Sequence, residues 1–188
     1  MNTAEAVKII VAALAEHSGT ERVYTPRSLP VQLDQYPLIV VTAPVEHKTS
    51  LGRHTPQFTT VTTLRIDGRV LAYDSEKGRC DGDGIAWEGA LELKERIERA
   101  LIGNPDVRMK FQQISTIRSQ LGVDSQGDGH IAQVLLEMDF EYYQGPEDFF
   151  ISELAPLRVV NVRGVNPPFR LHIDLTAGEK PDSKKEPE

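Results

Sequence analysis

The amino-acid sequence predicts an α+β fold: a mainly antiparallel sheet with two helices packed on one face, plus a C-terminal β extension. Amphipathic helical segments at residues 3–17 and 85–102 enclose a group of β-rich segments. Alternation of apolar and polar residues at 132–142, with Leu135 as the exception, indicates an antiparallel strand with one buried face. The chain is predicted to divide into three parts: an α+β domain at 1–145, the β extension at 146–176 and a disordered tail at 177–188.

Composition limits the possible functions. The chain has 188 residues and a net charge of −7, which suits one domain with an appendage and argues against a protein that mainly grips nucleic-acid phosphates. No run reaches the ~18 apolar residues that cross a bilayer, and the first residues lack the basic region of a secretory signal, so we expect no membrane partner. Cys80 is the only cysteine, so no intrachain disulfide can form.

The first half is predicted to hold one helix and three strands. The helix at 3–17 has Thr3 as its expected N-cap and an apolar face with the helical period, formed by Val7, Ile10, Val11 and Leu14. The predicted strands and their connections are a short strand at 21–25, a strand at 37–42 that ends at Pro44, an exposed loop at 45–56, and β-rich residues 58–73.

Two readings remain open for Asp67-Gly68, which lies inside the last of these segments. The pair suits a two-residue hairpin turn, and it also suits a bulge in one long strand. We slightly favour the long strand.

The second half is predicted to hold one helix and two long strands. The helix at 85–102 has a predicted apolar face formed by Trp87, Ala90, Leu91, Ile97 and Leu101, and Gly103-Asn104-Pro105 ends it. Apolar residues alternate with polar ones at 107–112, which predicts the start of a strand. The next strand is predicted to bury Ala132, Val134, Leu136, Met138, Phe140 and Tyr142.

No catalytic or cofactor motif meets its required spacing. Asp81-Gly82-Asp83-Gly84 lacks the third glycine of a dinucleotide loop, and no Gly-Lys-Ser/Thr forms a P-loop. The acidic turns do not supply the alternating oxygen ligands of a calcium loop, and the five histidines form no zinc set. We therefore expect no enzyme activity, no cofactor and no metal.

Interface residues are the remaining candidates. Glu137, Asp139 and Glu141 form an acidic row on the polar face of the alternating strand, which suits a solvated or partner-facing surface. In the C-terminal extension, residues 159–162 and 169–175 are predicted to pair as strands and to pack against a neighbouring subunit or a second protein. The expected anchors of that contact are Phe149, Phe150, Leu154, Val159 and Val160; in a lone domain the alternative is that these residues fold back on its own sheet.

The order of elements over residues 1–145 resembles the tail terminator (tail completion, minor tail protein U-like) proteins of tailed bacteriophages. The features that carry this resemblance are the helix at 4–16, Arg22-Val23-Tyr24, the proline-bounded strand at 36–41, the threonine-rich strand at 58–66, the glutamate-rich run at 90–101 and the strand ending at 136–143.

The resemblance implies a virion structural protein located at the tail–neck junction and assembled in the host cytoplasm. It implies a hexameric ring that caps the major tail tube protein, stops its polymerisation and joins it to a neck or head-completion protein. Genome DNA would pass through the ring, and an acidic lining would keep it from sticking. The acidic row then becomes a candidate lumen or ring contact. Two alternatives remain: another head–tail connector or head-closure component, and a small-molecule enzyme without a recognisable motif.

Overall fold

The computed structural model describes residues 1–26, 30–54, 56–75, 80–126, 129–149, 159–165 and 168–174. The chain divides into two compact units, Met1–Phe150 and Ile151–Glu188. Within its described residues, the first unit holds three helices and a five-stranded, mostly antiparallel sheet. The second unit holds a two-stranded sheet. The predicted α+β class is therefore confirmed.

Helix α1 spans Thr3–His17 and begins with a capping box. The Asn2 side chain accepts a hydrogen bond from the Glu5 backbone N–H at 2.9 Å, and the Glu5 carboxylate accepts one from the Asn2 N–H at 3.0 Å. The predicted helix is confirmed, with Asn2 rather than Thr3 as its N-cap. Thr3 instead donates a hydrogen bond to Glu46.

Helix α2 spans Gly82–Ile102, and its buried face agrees with the prediction in part. Ala90, Ile97 and Leu101 are buried as predicted, whereas Trp87 and Leu91 are about two-fifths exposed. The face that packs on the sheet is rotated relative to the predicted one, because it also includes Ala86, Leu93 and Ala100. Its buried members are Ala86, Ala90, Leu93, Ile97, Ala100 and Leu101.

Helix α3 spans Pro105–Lys110, so the first of the two predicted long strands is present but starts at Gln113 and not at 107. The Asn104 side chain accepts a hydrogen bond from the Asp106 N–H at 2.9 Å, and Pro105 occupies the first turn, where its missing N–H costs nothing. Val107 and Phe111 are both buried. Their spacing of four residues fits a helix face as well as a strand face.

The sheet has the strand order β1-β2-β3-β5-β4. Only the β1–β2 pair is parallel, and the other neighbours are antiparallel. The strands are β1 at Val23–Tyr24, β2 at Leu38–Ser50, β3 at Phe58–Ala72, β4 at Gln113–Gln126 and β5 at Gly129–Gln144.

Strand β2 is longer than predicted, and this corrects the exposed loop at 45–56. The chain stays paired with β3 from Val45 opposite Thr63 to Ser50 opposite Phe58. Pro44 lies at the register shift between Thr42 and Val45 instead of ending the strand. A bulge leaves a residue unpaired, so a proline is tolerated there.

Strand β3 runs through Asp67 and Gly68 as one strand, as the favoured interpretation predicted, and its pairing has no register shift at this point. A side chain at Gly68 would place its Cβ 2.9 Å from Leu93 Cδ2 and 2.9 Å from Val134 Cγ1. Glycine is present here because α2 packs closely on the sheet.

The core lies between the sheet and helices α1 and α2. All six β5 residues predicted to be buried are at most 1% exposed. Phe140 stacks against Phe111 with ring centroids 4.9 Å apart. Ile10 and Leu14 of α1 complete the same cluster.

The second unit contains the strands β6 at Val159–Val165 and β7 at Pro168–Asp174, which pair antiparallel in a two-stranded ribbon. The predicted pairing of these segments is confirmed. Phe150, Leu154 and the tail predicted at 177–188 lie outside the described residues. The boundary predicted after residue 145 stays a prediction.

Candidate functional site

Both edges of the five-stranded sheet are open over most of their length. Strand β4 pairs with β5 and, among the described residues, with no strand on its other side. At the opposite edge, β1 pairs only with Ile39 and Val40, which leaves residues 41–50 of β2 without an outer partner in the described chain. Unpaired strand edges present free N–H and C=O groups, so they are ready surfaces for another chain.

The two open edges run in opposite directions. The β2–β3, β3–β5 and β5–β4 pairs are all antiparallel, so the strand direction reverses three times across the sheet. If β4 of one copy met β2 of another copy in the same orientation, the two strands would be antiparallel. That is the arrangement with the more stable hydrogen-bond ladder.

The sheet face opposite the helices, called the outer face here, places the acidic row beside two arginines. Arg65 Nη2 lies 2.8 Å from Glu137 Oε1, and Arg118 Nη2 lies 3.6 Å from Asp139 Oδ2. Glu141 accepts a hydrogen bond from Gln113 at 2.9 Å. The predicted acidic row is therefore part of a mixed-charge network built by three neighbouring strands.

The charge of the outer face remains negative. Among the described residues, the strand register places five carboxylates and three arginines on this face, which gives it a net charge of −2. The pKa of Arg69 is raised, mainly by its hydrogen bond to Asp67. The charged members are Asp67, Asp124, Glu137, Asp139, Glu141, Arg65, Arg69 and Arg118.

The predicted anchors in the C-terminal region lie in different places. Phe149 packs against Phe58 with ring centroids 5.3 Å apart, and it remains 39% exposed. Val159 and Val160 lie in β6, opposite Asp174 and Ile173. Phe150 lies outside the described residues. Phe149 thus lies in the first unit and packs on its own sheet, whereas the two valines lie at the start of the ribbon.

A polar cluster at one end of the helix-covered face surrounds Glu46. Its carboxylate accepts hydrogen bonds from Thr3 and from Tyr142, the latter at 3.3 Å, and lies 2.9 Å from Lys48 Nζ. Burial acts to raise the pKa of Glu46, but the hydrogen bonds from Thr3 and Lys48 outweigh it, so the pKa is lowered. Tyr142 also exchanges a hydrogen bond with the buried Thr62 at 3.0 Å.

A second polar cluster lies at the start of α2. His130 Nδ1 is 2.7 Å from Asp83 Oδ1, and its Nε2 is 3.4 Å from Asp74 Oδ1. A Cβ at Gly82 would lie 2.2 Å from the His130 ring, so the ring occupies the space of a side chain there. The pKa of Asp81 is lowered by hydrogen bonds from the Ser75 side chain and backbone. The acidic turn thus ties the helix start to β5.

A partly apolar flank of α2 lies along edge strand β4, and the sequence did not predict it. The α2 flank consists of Trp87, Leu91, Lys94, Glu98 and Ile102, which share one side of the helix. Ile102 lines a surface depression of about 360 Å³ together with Ile114 of β4. Closer to the helix start, Leu121 and Val123 of β4 pack against Ala86 and Ala90.

Three further observations bear on the function. Among the described residues, no group of three or more His, Cys, Asp or Glu side chains is arranged to hold a metal ion. No helix within the described ranges is long and apolar enough to cross a membrane. The depressions beside α1 and α3 are shallow and open to solvent, with volumes of about 230–440 Å³.

A scan against protein-family models and a search of curated proteins both found no match for this chain. The functional inference therefore rests on the geometry of the sheet edges and the outer face.

Proposed function

We propose that the chain is a virion structural protein of the tail terminator type that works by assembling into a ring. The observation that carries this proposal is the pair of open sheet edges, β4 and residues 41–50 of β2. Two different edges on one subunit support head-to-tail contacts, and such contacts close into a ring when the rotation between copies allows it.

The outer face supports the same proposal. In a closed ring built through the sheet edges, one sheet face points to the axis and the other points outward. Because helices cover one face, the outer face with its net charge of −2 is the proposed lumen lining, with Glu137, Asp139 and Glu141 in the lumen. A weakly acidic lining repels DNA phosphates, so the genome passes without binding.

The proposed mechanism is capping. One rim of the ring complements the last ring of the major tail tube protein, and the other rim cannot accept another tube ring. That second rim binds a neck or head-completion protein instead.

The test measures the oligomeric state of the full chain, alone and with purified tail tubes. Native mass spectrometry and negative-stain microscopy should show a closed ring, either in isolation or at tube ends. Ile117→Lys should weaken association at least about tenfold, because it places a charge beside the open edge of β4. Met109→Lys, an equally drastic change at an exposed residue of α3, should leave association unchanged. A stable monomer without affinity for tail tubes would overturn the proposal.

A further inference from the structure

We propose that the β6–β7 ribbon of one copy adds to edge strand β4 of a second copy and packs there on the α2 flank. This inference rests on the self-association in the proposed function, and it names the surface and the segment that form the contact.

The ribbon requires a partner surface. It has two strands of seven residues, and an isolated two-stranded ribbon is marginally stable at best in water. Its register pairs Val160 with Ile173, and Val162 with Leu171. Alternate pairs of an antiparallel ribbon share a face, so apolar residue types occupy one face of it. That face needs to be covered.

The register pairs on the other face of the ribbon, which include Arg163 opposite Arg170, favour an acidic partner. Arg163 lies directly opposite Arg170 in the register, and like charges at opposite positions destabilise a ribbon. The ribbon contains one carboxylate, that of Asp174, which lies in its end pair opposite Val159. Residues 151–188 hold six basic and six acidic residues, so residues 1–150 carry the whole net charge of −7. Charge therefore favours the first unit of a copy as the partner.

Edge strand β4 offers a surface with both required properties. A strand added to its open edge sends alternate residues to the helix side and to the outer face. On the helix side it meets Ile117, which is 40% exposed, and the α2 flank with Trp87 and Leu91. On the outer face its nearest charged neighbours are Arg118 and Asp124 of β4, and the carboxylates of Glu137 and Asp139 lie one strand further, on β5. The apolar face of the ribbon is thus complemented directly, and its arginines meet an outer face with a net charge of −2.

The course of the chain favours a second copy as the donor. After β5 ends, Phe149 packs on Phe58, which pairs with Ser50 of β2 and with Gln144 of β5. The chain therefore leaves the sheet toward the β2 edge, on the side away from its own β4. In the proposed head-to-tail assembly, the β2 edge of one copy faces the β4 edge of the next, and the ribbon lies between these two edges and pairs with β4 in place of β2.

Trp87 provides the test because it is the only tryptophan in the chain and lies on the proposed site. The experiment measures acrylamide quenching of Trp87 fluorescence in the full chain. Leu171→Asp places a charge on the apolar face of the ribbon, and it should raise the quenching constant about twofold, because Trp87 is 41% exposed in a single chain without a second copy. Met109→Asp introduces the same group at an exposed residue of α3, which is not part of the proposed contact, and it should leave quenching unchanged. Equal quenching in the wild type and in Leu171→Asp would overturn the proposal.

Subunit mixing identifies the donor. Wild-type chain is exchanged with an excess of a Trp87→Phe, Leu171→Asp double variant, which emits no tryptophan fluorescence and carries the defective ribbon. If the ribbon comes from a second copy, Trp87 of the wild-type chain becomes about twofold more accessible to acrylamide on exchange. An unchanged quenching constant shows that the ribbon covers its own chain, which overturns the proposal.

Native mass spectrometry of the same samples separates this proposal from the ring itself. A wild-type ring in which Trp87 is as accessible as in Leu171→Asp overturns the ribbon contact and leaves the ring standing. A wild type that stays monomeric at all concentrations and with tail tubes overturns both.

Discussion

The two faces of strand β5 are stabilised by different interactions: apolar burial on one face and ion pairs on the other. On the helix-covered face, six apolar or aromatic residues from Ala132 to Tyr142 are at most 1% exposed. On the outer face, Glu137 and Asp139 stay partly exposed and pair with Arg65 and Arg118 over 2.8–3.7 Å. Apolar burial stabilises by about 1.5–3 kcal/mol per large side chain, whereas an exposed ion pair contributes about 0–1 kcal/mol. The fold therefore depends on one face of β5, which leaves the other free to serve a partner.

The largest effect expected from this comparison is at the centre of the covered face. Phe140→Ala should lower the free energy of unfolding by about 3–5 kcal/mol, because it leaves a cavity beside Phe111 and removes their ring contact. Urea unfolding of the full chain, followed by circular dichroism, measures this loss. A loss below about 1 kcal/mol would mean that the covered face does not hold the fold.

A smaller effect is expected where the sheet and α2 meet most closely. Gly68→Ala should cost about 1–3 kcal/mol, because the new Cβ would lie 2.9 Å from Leu93 and from Val134. Gly122→Ala in edge strand β4 is the matched control, since nothing lies within 4 Å of its Cβ position. Thermal unfolding of both variants should separate them, and equal melting temperatures would contradict the close approach of α2.

The outer face should tolerate substitution in the free subunit. Glu137→Gln removes the partner of Arg65 and should change the free energy of unfolding by less than about 1 kcal/mol, because the pair is partly solvated. Urea unfolding at low and high salt measures this difference. A loss comparable to that of Phe140→Ala would show that both faces of β5 contribute equally, which removes the basis of the comparison.

The smallest expected effect is a pH dependence at the Glu46 cluster. The folded state lowers the pKa of Glu46, so its contribution is fully present above the ordinary value of 4.5 and is lost as the pH falls through the folded-state pKa. Melting temperatures between pH 7 and pH 3 should fall less steeply for Glu46→Gln than for the wild type. The contribution should stay below about 1 kcal/mol because the side chain is partly exposed. Parallel pH curves for the two proteins would contradict this assignment.

The sequence predicts the covered face of β5 well because its alternation has only one interpretation over eleven residues. The sequence does not predict helix α3 because its apolar spacing is ambiguous. Val107 and Phe111 are four residues apart, a spacing that fits a strand face and a helix face alike, and Asn104-Pro105 was interpreted as the end of α2 instead of the cap of α3. The same residue types occur at the end of one helix and at the N-cap of the next. Only the packing of Val107 in the core shows that Asn104 and Pro105 begin a new helix.

The sequence predicts the acidic members of the outer-face network but not their arginine partners. The alternation shows that Glu137, Asp139 and Glu141 share a face, but their arginine partners come from β3 and β4. Finding them requires the strand order and the register, which depend on contacts between residues far apart in the sequence. The α2 flank was missed because a periodicity argument places every large apolar residue inward, whereas the close alanines decide which side meets the sheet.

The pairing of β3 with β5 has a consequence for synthesis of the chain. Ala72 is paired with His130 and Phe58 with Gln144, so β3 receives its second neighbour only after at least 58 further residues have been made. During that interval its β5-facing edge is open to other nascent chains, which is a hazard for aggregation. The composition of β3 lowers this risk of aggregation. Four threonines and the charged residues Arg65, Asp67 and Arg69 make the strand polar while it still lacks β5 as a neighbour.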